Sequence, residues 1–246
     1  MEKQPTKVMQ AYAALLAITG WISVILQFYL IILNRTASVA ETVIRFFSFF
    51  TILTNILVAG CCTVLWLRPG ARGNGAGSAA NQLNGPTNVY VDGSGGNAGR
   101  PGGGRWLAFF SKPATLTAVT VYITIVGLVY NILLRLLWEP QGLQLWVDES
   151  LHTVIPSLYI LFWLLFVPKG GLQWSAIPAW LIYPIVYTFF IMLRGALSGF
   201  YPYPFIDLNK IATHEVFINA GAVLIGFLVL SLVLVGIGKL RGGISH

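Results

Sequence analysis

The sequence predicts an all-α polytopic membrane protein, a bundle of six transmembrane helices, and three observations carry that prediction. Only 9% of the 246 residues are charged, against 56% that are hydrophobic. Mean hydropathy is +0.75. Six stretches are each long and apolar enough to cross a bilayer, for which about 20 residues suffice. A soluble domain carries about 25% charged residues, because its surface must be solvated. The composition therefore excludes a soluble globular enzyme, a disordered chain and a disulfide-stapled secreted module. A net charge of +7 needs no nucleic acid, since Lys and Arg accumulate in cytoplasmic loops during insertion.

Taken in order, the expected spans are 9–33, 43–67, 114–138, 151–167, 176–197 and 216–240. The first follows a short charged N-terminus. It is too long for a signal-peptide core and lacks a small-x-small cleavage site, so it reads as a retained span. The second holds Cys61 and Cys62, neighbours whose side chains point about 100° apart on a helix. They read as small helix residues and not as a disulfide or a metal site. The third ends near Asn131, Arg135 and Trp138, and the fourth is the shortest and allows an earlier start. The fifth contains Pro178 and Pro184, tolerated in a membrane where neighbours satisfy the freed carbonyls.

Charge orients the bundle. With the N-terminus inside, ten of the 15 basic residues fall on the inner side and five on the outer: Arg35, Arg45, Arg135, Arg194 and Lys210. That asymmetry predicts cytoplasmic N- and C-termini. Six of the eight acids fall on the outer side. Between spans two and three, residues 70–105 hold twelve of the 26 glycines and almost nothing apolar. Such a segment predicts a flexible cytoplasmic loop. It lacks the GK[ST] ending of a phosphate-binding loop. The chain, 1–246, thus reads as a single six-helix membrane domain carrying one Gly-rich loop.

Polar side chains at membrane depth are expensive and mark function. They concentrate in the outer halves of the spans. Thr51, Thr54 and Asn55 share one helix face, with Thr51 roughly 10–12 Å below the outer end if span two starts at 43. His152 follows Asp148 and Glu149 at the start of span four; Gln27, His214 and Asn219 lie on the same side. One reading is a polar rim with a few interhelical hydrogen bonds. The sharper one is a cavity open to the outer leaflet, built from spans two, three, four and six. Trp138, Trp146, Tyr201 and Tyr203 read as the outer aromatic belt. Axial haem ligation by His152 and His214 has no further support in the sequence, and no cofactor is expected.

Three segments carry a resemblance: Phe-Phe-Ser-Phe-Phe-Thr-Ile-Leu-Thr-Asn at 46–55, His-Thr-Val-Ile-Pro at 152–156 and Gly-Phe-Tyr-Pro-Tyr-Pro-Phe-Ile-Asp at 199–207. Together they resemble the bacterial Pr-six-Pr membrane proteins over nearly the whole chain except the Gly-rich loop. Those proteins are similar to the animal androgen-induced and androgen-dependent membrane proteins, six-span threonine hydrolases of fatty acid esters of hydroxy fatty acids. The resemblance implies a bacterial inner-membrane protein acting on a membrane lipid or fatty acyl ester, with Thr51 as nucleophile and His152 as base. The animal motif has one residue more between His and Pro. A threonine hydroxyl needs a neighbouring base to become nucleophilic, and neutral imidazole, with a pKa near 6.5, can serve. Asp148 or Glu149 could hold the other imidazole nitrogen. Asn55, Asn131 or Arg135 could face the oxyanion or a substrate carboxylate. A lipid-binding or transport protein using the same cavity without chemistry is the alternative.

Overall fold

A computed structural model describes residues 6–68, 103–137 and 139–242. Most of the Gly-rich segment, 70–102, and Trp138 of the expected aromatic belt lie outside the described residues. The described residues contain helices and no strand. Six helices are long and apolar enough to cross a membrane: Lys7–Leu33, Phe50–Leu67, Pro113–Leu134, Leu143–Phe166, Trp174–Ser198 and Thr213–Leu240. The fold is an all-α six-helix bundle, and the chain has the helices of an integral membrane protein.

The first span is α1 (Lys7–Leu33), whose N-cap Thr6 accepts a hydrogen bond from the Met9 amide. It packs closely along α3 (Phe50–Leu67), and Gly20 is one point of close approach. A Cβ there would lie 3.0 Å from that of Ala59, so glycine lets the two backbones meet. Between them runs α2 (Val39–Phe47), a short helix capped by Ser38. Expected span two therefore splits. Ser48 Oγ bonds back to the Ile44 carbonyl, Phe49 is extended, and a new helix starts at Phe50. Hydropathy cannot register this break, because the phenylalanines around it are apolar in either conformation. Thr51 consequently sits in the first turn of its helix and not two turns down.

The helix at Gly103–Phe110 (α4) precedes α5 (Pro113–Val129), which runs on through a π turn at Tyr130–Leu134. Span four begins earlier than expected, at α6 (Leu143–Glu149), and continues through a π turn at Ser150–Val154 into α7 (Ile155–Phe166). This is the earlier start that the sequence allows; Gln144, Asp148 and Glu149 depress the hydropathy there. The fifth span is α8 (Ile177–Ser198), and the last is α9 (Thr213–Gly242).

The two interior prolines are handled by side chains. Pro184 has no N–H for the Trp180 carbonyl, and the Tyr122 hydroxyl donates to that carbonyl at 2.7 Å. Pro156 likewise leaves the His152 carbonyl without its helical donor, and Asn131 Nδ2 approaches it at 3.3 Å. Asn55 Nδ2 donates to the neighbouring Leu151 carbonyl at 3.2 Å. Gly127 makes room for this turn: a Cβ there would lie 3.2 Å from the His152 oxygen. The core beneath is large, with Trp163, Tyr159, Phe162 and Leu16 fully buried. Outward-facing Phe189, Leu193, Leu197, Phe217 and Ile218 are exposed, as lipid-facing side chains are.

Candidate functional site

The break before α3 leaves its first N–H groups without helical partners, and the helix has no side-chain cap of its own. Two tyrosine hydroxyls supply the acceptors. Tyr187 of α8 takes the Phe50 amide at 3.2 Å and passes its own proton to the Ser48 carbonyl at 2.7 Å. Tyr203, from the segment joining α8 and α9, takes the Thr51 amide at 3.4 Å and also lies against the Thr51 side chain. Burial pushes the Tyr203 phenol above its ordinary value of 10.0, so it keeps its proton. Thr51 is 7% exposed, at the positive end of a helix dipole.

The connecting segment is held by an ionic clasp. Arg194, at the end of α8, and Arg45 of α2 both reach Glu41 Oε1 at 2.8 Å, and both guanidinium groups lie over the Phe200 ring. The Arg45 hydrogen bond, more than any other contact, keeps the Glu41 carboxyl below the usual carboxylate range. Next to this clasp, Tyr201 covers Gly195; a Cβ there would lie 2.0 Å from the ring. Gly195→Ala should therefore displace the segment carrying Tyr203. The expected result is a lower unfolding temperature, read by thermal melting in detergent, together with faster proteolysis between Gly199 and Asp207.

His152 emerges from the π turn at Ser150–Val154. Its Nδ1 lies 2.9 Å from the Asp148 carbonyl and 3.3 Å from Asp148 Oδ1. Both partners are acceptors, so the imidazole carries a proton on Nδ1, and in its neutral form Nε2 holds the lone pair. Asp148 is in turn held by the Tyr130 hydroxyl, and the Tyr130 ring stacks on the imidazole at 4.0 Å and 13°. Because a backbone carbonyl also holds Nδ1, Asp148→Asn should preserve the tautomer. Nitrogen NMR of the imidazole should show the same Nδ1–H form in both proteins.

Thr51 and His152 line the same two cavities, together with Tyr130, Leu134 and Tyr203. One cavity, about 80 Å³, runs between α3, α5, α8 and α9 and is walled by Phe50, Val126, Leu224 and Phe227 among others. The second, about 360 Å³, opens among α1, α3 and α6 and adds Gln27, Gln144 and Asp148 to its wall. No hydrogen bond joins Thr51 to His152 among the described residues.

The remaining sequence-selected residues are placed differently. Asp148 stands beside His152 as described, whereas Glu149 pairs with Arg135 on the exposed side, where Arg135 also donates to Thr153. Asn55 and Asn131 spend their amide protons on the carbonyls of the π turn and of their own helices, so they position His152 and do not line a cavity. Thr54 is fully buried beneath Thr51. Tyr203, expected in the aromatic belt, instead walls both cavities; Tyr130 does the same, and Tyr187 lines the smaller one. Their phenols carry no sequence pattern that separates them from lipid-facing aromatics. No family model, no curated protein and no solved structure matches the chain.

Proposed function

We propose that this chain is an intramembrane hydrolase of lipid esters, in which Thr51 is the nucleophile and His152 the general base. One observation supports it above the others: Thr51 and a His152 of fixed tautomer border both cavities at once. An ester carbonyl at that border would direct its acyl chain toward the narrow apolar cavity and its alcohol portion toward the wider one. Fatty acid esters of hydroxy fatty acids, the substrates implied by the resemblance, have this two-armed form.

In the mechanism, His152 Nε2 takes the Thr51 proton, directly after a side-chain rotation or through one bridging water. The Thr51 oxygen adds to the ester carbonyl, and the Tyr203 hydroxyl donates to the oxyanion. Collapse breaks the bond to the alcohol oxygen, which leaves with the proton from His152. Water then attacks the acyl-threonine by the same path and releases the fatty acid. A non-catalytic lipid-binding or transport protein is the second reading, favoured by the missing Thr51–His152 hydrogen bond. Labelling with a fluorophosphonate lipid probe separates the two: the hydrolase forms an adduct on Thr51, and a binding protein forms none.

The proposed setting is the bacterial inner membrane, with both termini cytoplasmic and the cavities opening toward the outer leaflet. The charge split between the two sides supports it. Reporter fusions at Lys7 and at His246 should both read cytoplasmic, and a periplasmic reading at either position would overturn the orientation.

A further inference from the structure

Gln27, near the outer end of α1, and Gln144, in the first turn of α6, meet at the wall of the larger cavity, where Gln144 Nε2 donates to Gln27 Oε1 at 2.9 Å. One hydrogen bond leaves such an amide pair with most of its capacity open. Gln27 keeps two N–H donors, and Gln144 keeps an N–H and its carbonyl oxygen. Both side chains are half-buried. This is donor and acceptor chemistry without charge, suited to hydroxyl and ester carbonyl oxygens.

The same wall offers an anion no cationic Lys or Arg side chain, for none is among the residues lining either cavity. Of the outer arginines, Arg135 pairs with Glu149, Arg45 and Arg194 pair with Glu41, and Arg35 donates to the Ile32 carbonyl. Among the lining residues the one carboxyl is Asp148, already serving Tyr130 and His152 as an acceptor. A carboxylate or phosphate entering here would face a like charge at short range in a poorly solvated space, with no counter-ion.

We infer that the larger cavity selects an uncharged head group bearing hydroxyl or carbonyl oxygens, and that Gln27 and Gln144 are the residues that read it. This rests on the lipid-ester reading but departs from its named substrates, since the alcohol portion of a fatty acid ester of a hydroxy fatty acid carries a free carboxyl. The alcohol portion is a glycerol or a hydroxy acid whose own carboxyl is esterified, and a free-carboxylate substrate is disfavoured.

The test is binding, which needs no turnover. Four probes of equal alkyl length compete for a fluorescent ether lipid on the purified full-length protein in neutral-lipid nanodiscs: an alkylglycerol ether, a hydroxy-acid methyl ester, the free hydroxy acid and an alkyl phosphate. A pH of about 8 keeps both acids ionised. The neutral probes should bind about tenfold tighter than the anions, and the ether against the methyl ester identifies which alcohol is preferred. Gln27→Leu and Gln144→Leu should each weaken the neutral probes and so narrow the preference, and Gln27→Lys should reverse it. Misfolding cannot mimic a reversal, because it weakens every probe alike. Anions binding as well as neutral probes to the natural chain, or a preference undiminished in both leucine variants, would overturn the inference. A chain that shows the preference but forms no Thr51 adduct upholds the inference and removes the hydrolase. One that cleaves free-carboxylate esters fastest keeps the hydrolase and removes the inference.

Discussion

Thr51→Ala should abolish both ester hydrolysis and labelling by a fluorophosphonate lipid probe, while Thr51→Ser should retain most of each. The asymmetry follows from what each substitution removes. Alanine takes away the only atom that can bond to the carbonyl carbon; in serine hydrolases the equivalent loss is about 10⁶-fold in kcat, which here means turnover at the level of buffer. Serine keeps the oxygen and gives up one buried methyl, about 0.8 kcal/mol of burial. Neither change touches the backbone amide bonded to Tyr203, so both variants should fold. His152→Ala should lose about 10²–10⁴-fold through the absent base. The checks are initial rates on a long-chain ester and mass spectrometry of the labelled peptide. Equal hydrolysis by the alanine variant, or an adduct mapped to another residue, would sink the assignment and promote the lipid-binding reading.

How much of this arrangement the amino acids announce depends on which force set each part. The number of spans is legible, because the bilayer demands about 20 apolar residues and nothing else in a chain this poor in charge imitates that. The starts of spans two and four are not. At Phe49 the helix breaks inside a run of aromatic residues, and the lost amide partners are restored by tyrosines 137 and 152 positions away. Hydropathy averages along the chain and is blind to such partners. At Leu143–Glu149 the opposite happens: Gln144 and Asp148 turn toward a cavity, so a true membrane helix reads as polar. The sharing of a helix face by Thr51 and Asn55 was visible from spacing. That Asn55 would serve the His152 turn was not, since the need for it arises at Pro156, in another span.

The hydroxyl of Tyr203 is the group whose removal should separate catalysis from folding most cleanly. Tyr203→Phe keeps the ring, which stacks on Phe205 and meets Phe49 edge-on, and deletes only the oxygen beside Thr51. Two consequences follow. The Thr51 amide loses its partner, a stability loss of about 1–3 kcal/mol. The proposed oxyanion loses its donor, and loss of one such donor lowers kcat by about 10²–10³-fold. KM should change little, because the donor engages the transition state more strongly than the ground state. Tyr187→Phe is the matched control. It orphans the Phe50 amide and the Ser48 carbonyl, so it should destabilise at least as much. Yet Tyr187 lines the smaller cavity only and touches neither Thr51 nor His152 by any hydrogen bond among the described residues. Its kcat should therefore stay within a few-fold of the natural chain. Sign matters for the pH profile as well. A phenol held above 10.0 by burial remains a donor as the pH rises toward that value, so any alkaline fall in rate below it should persist unchanged in Tyr203→Phe. Parallel losses of kcat in the two phenylalanine variants would assign Tyr203 to the scaffold of the helix start and leave the oxyanion without a donor from this segment.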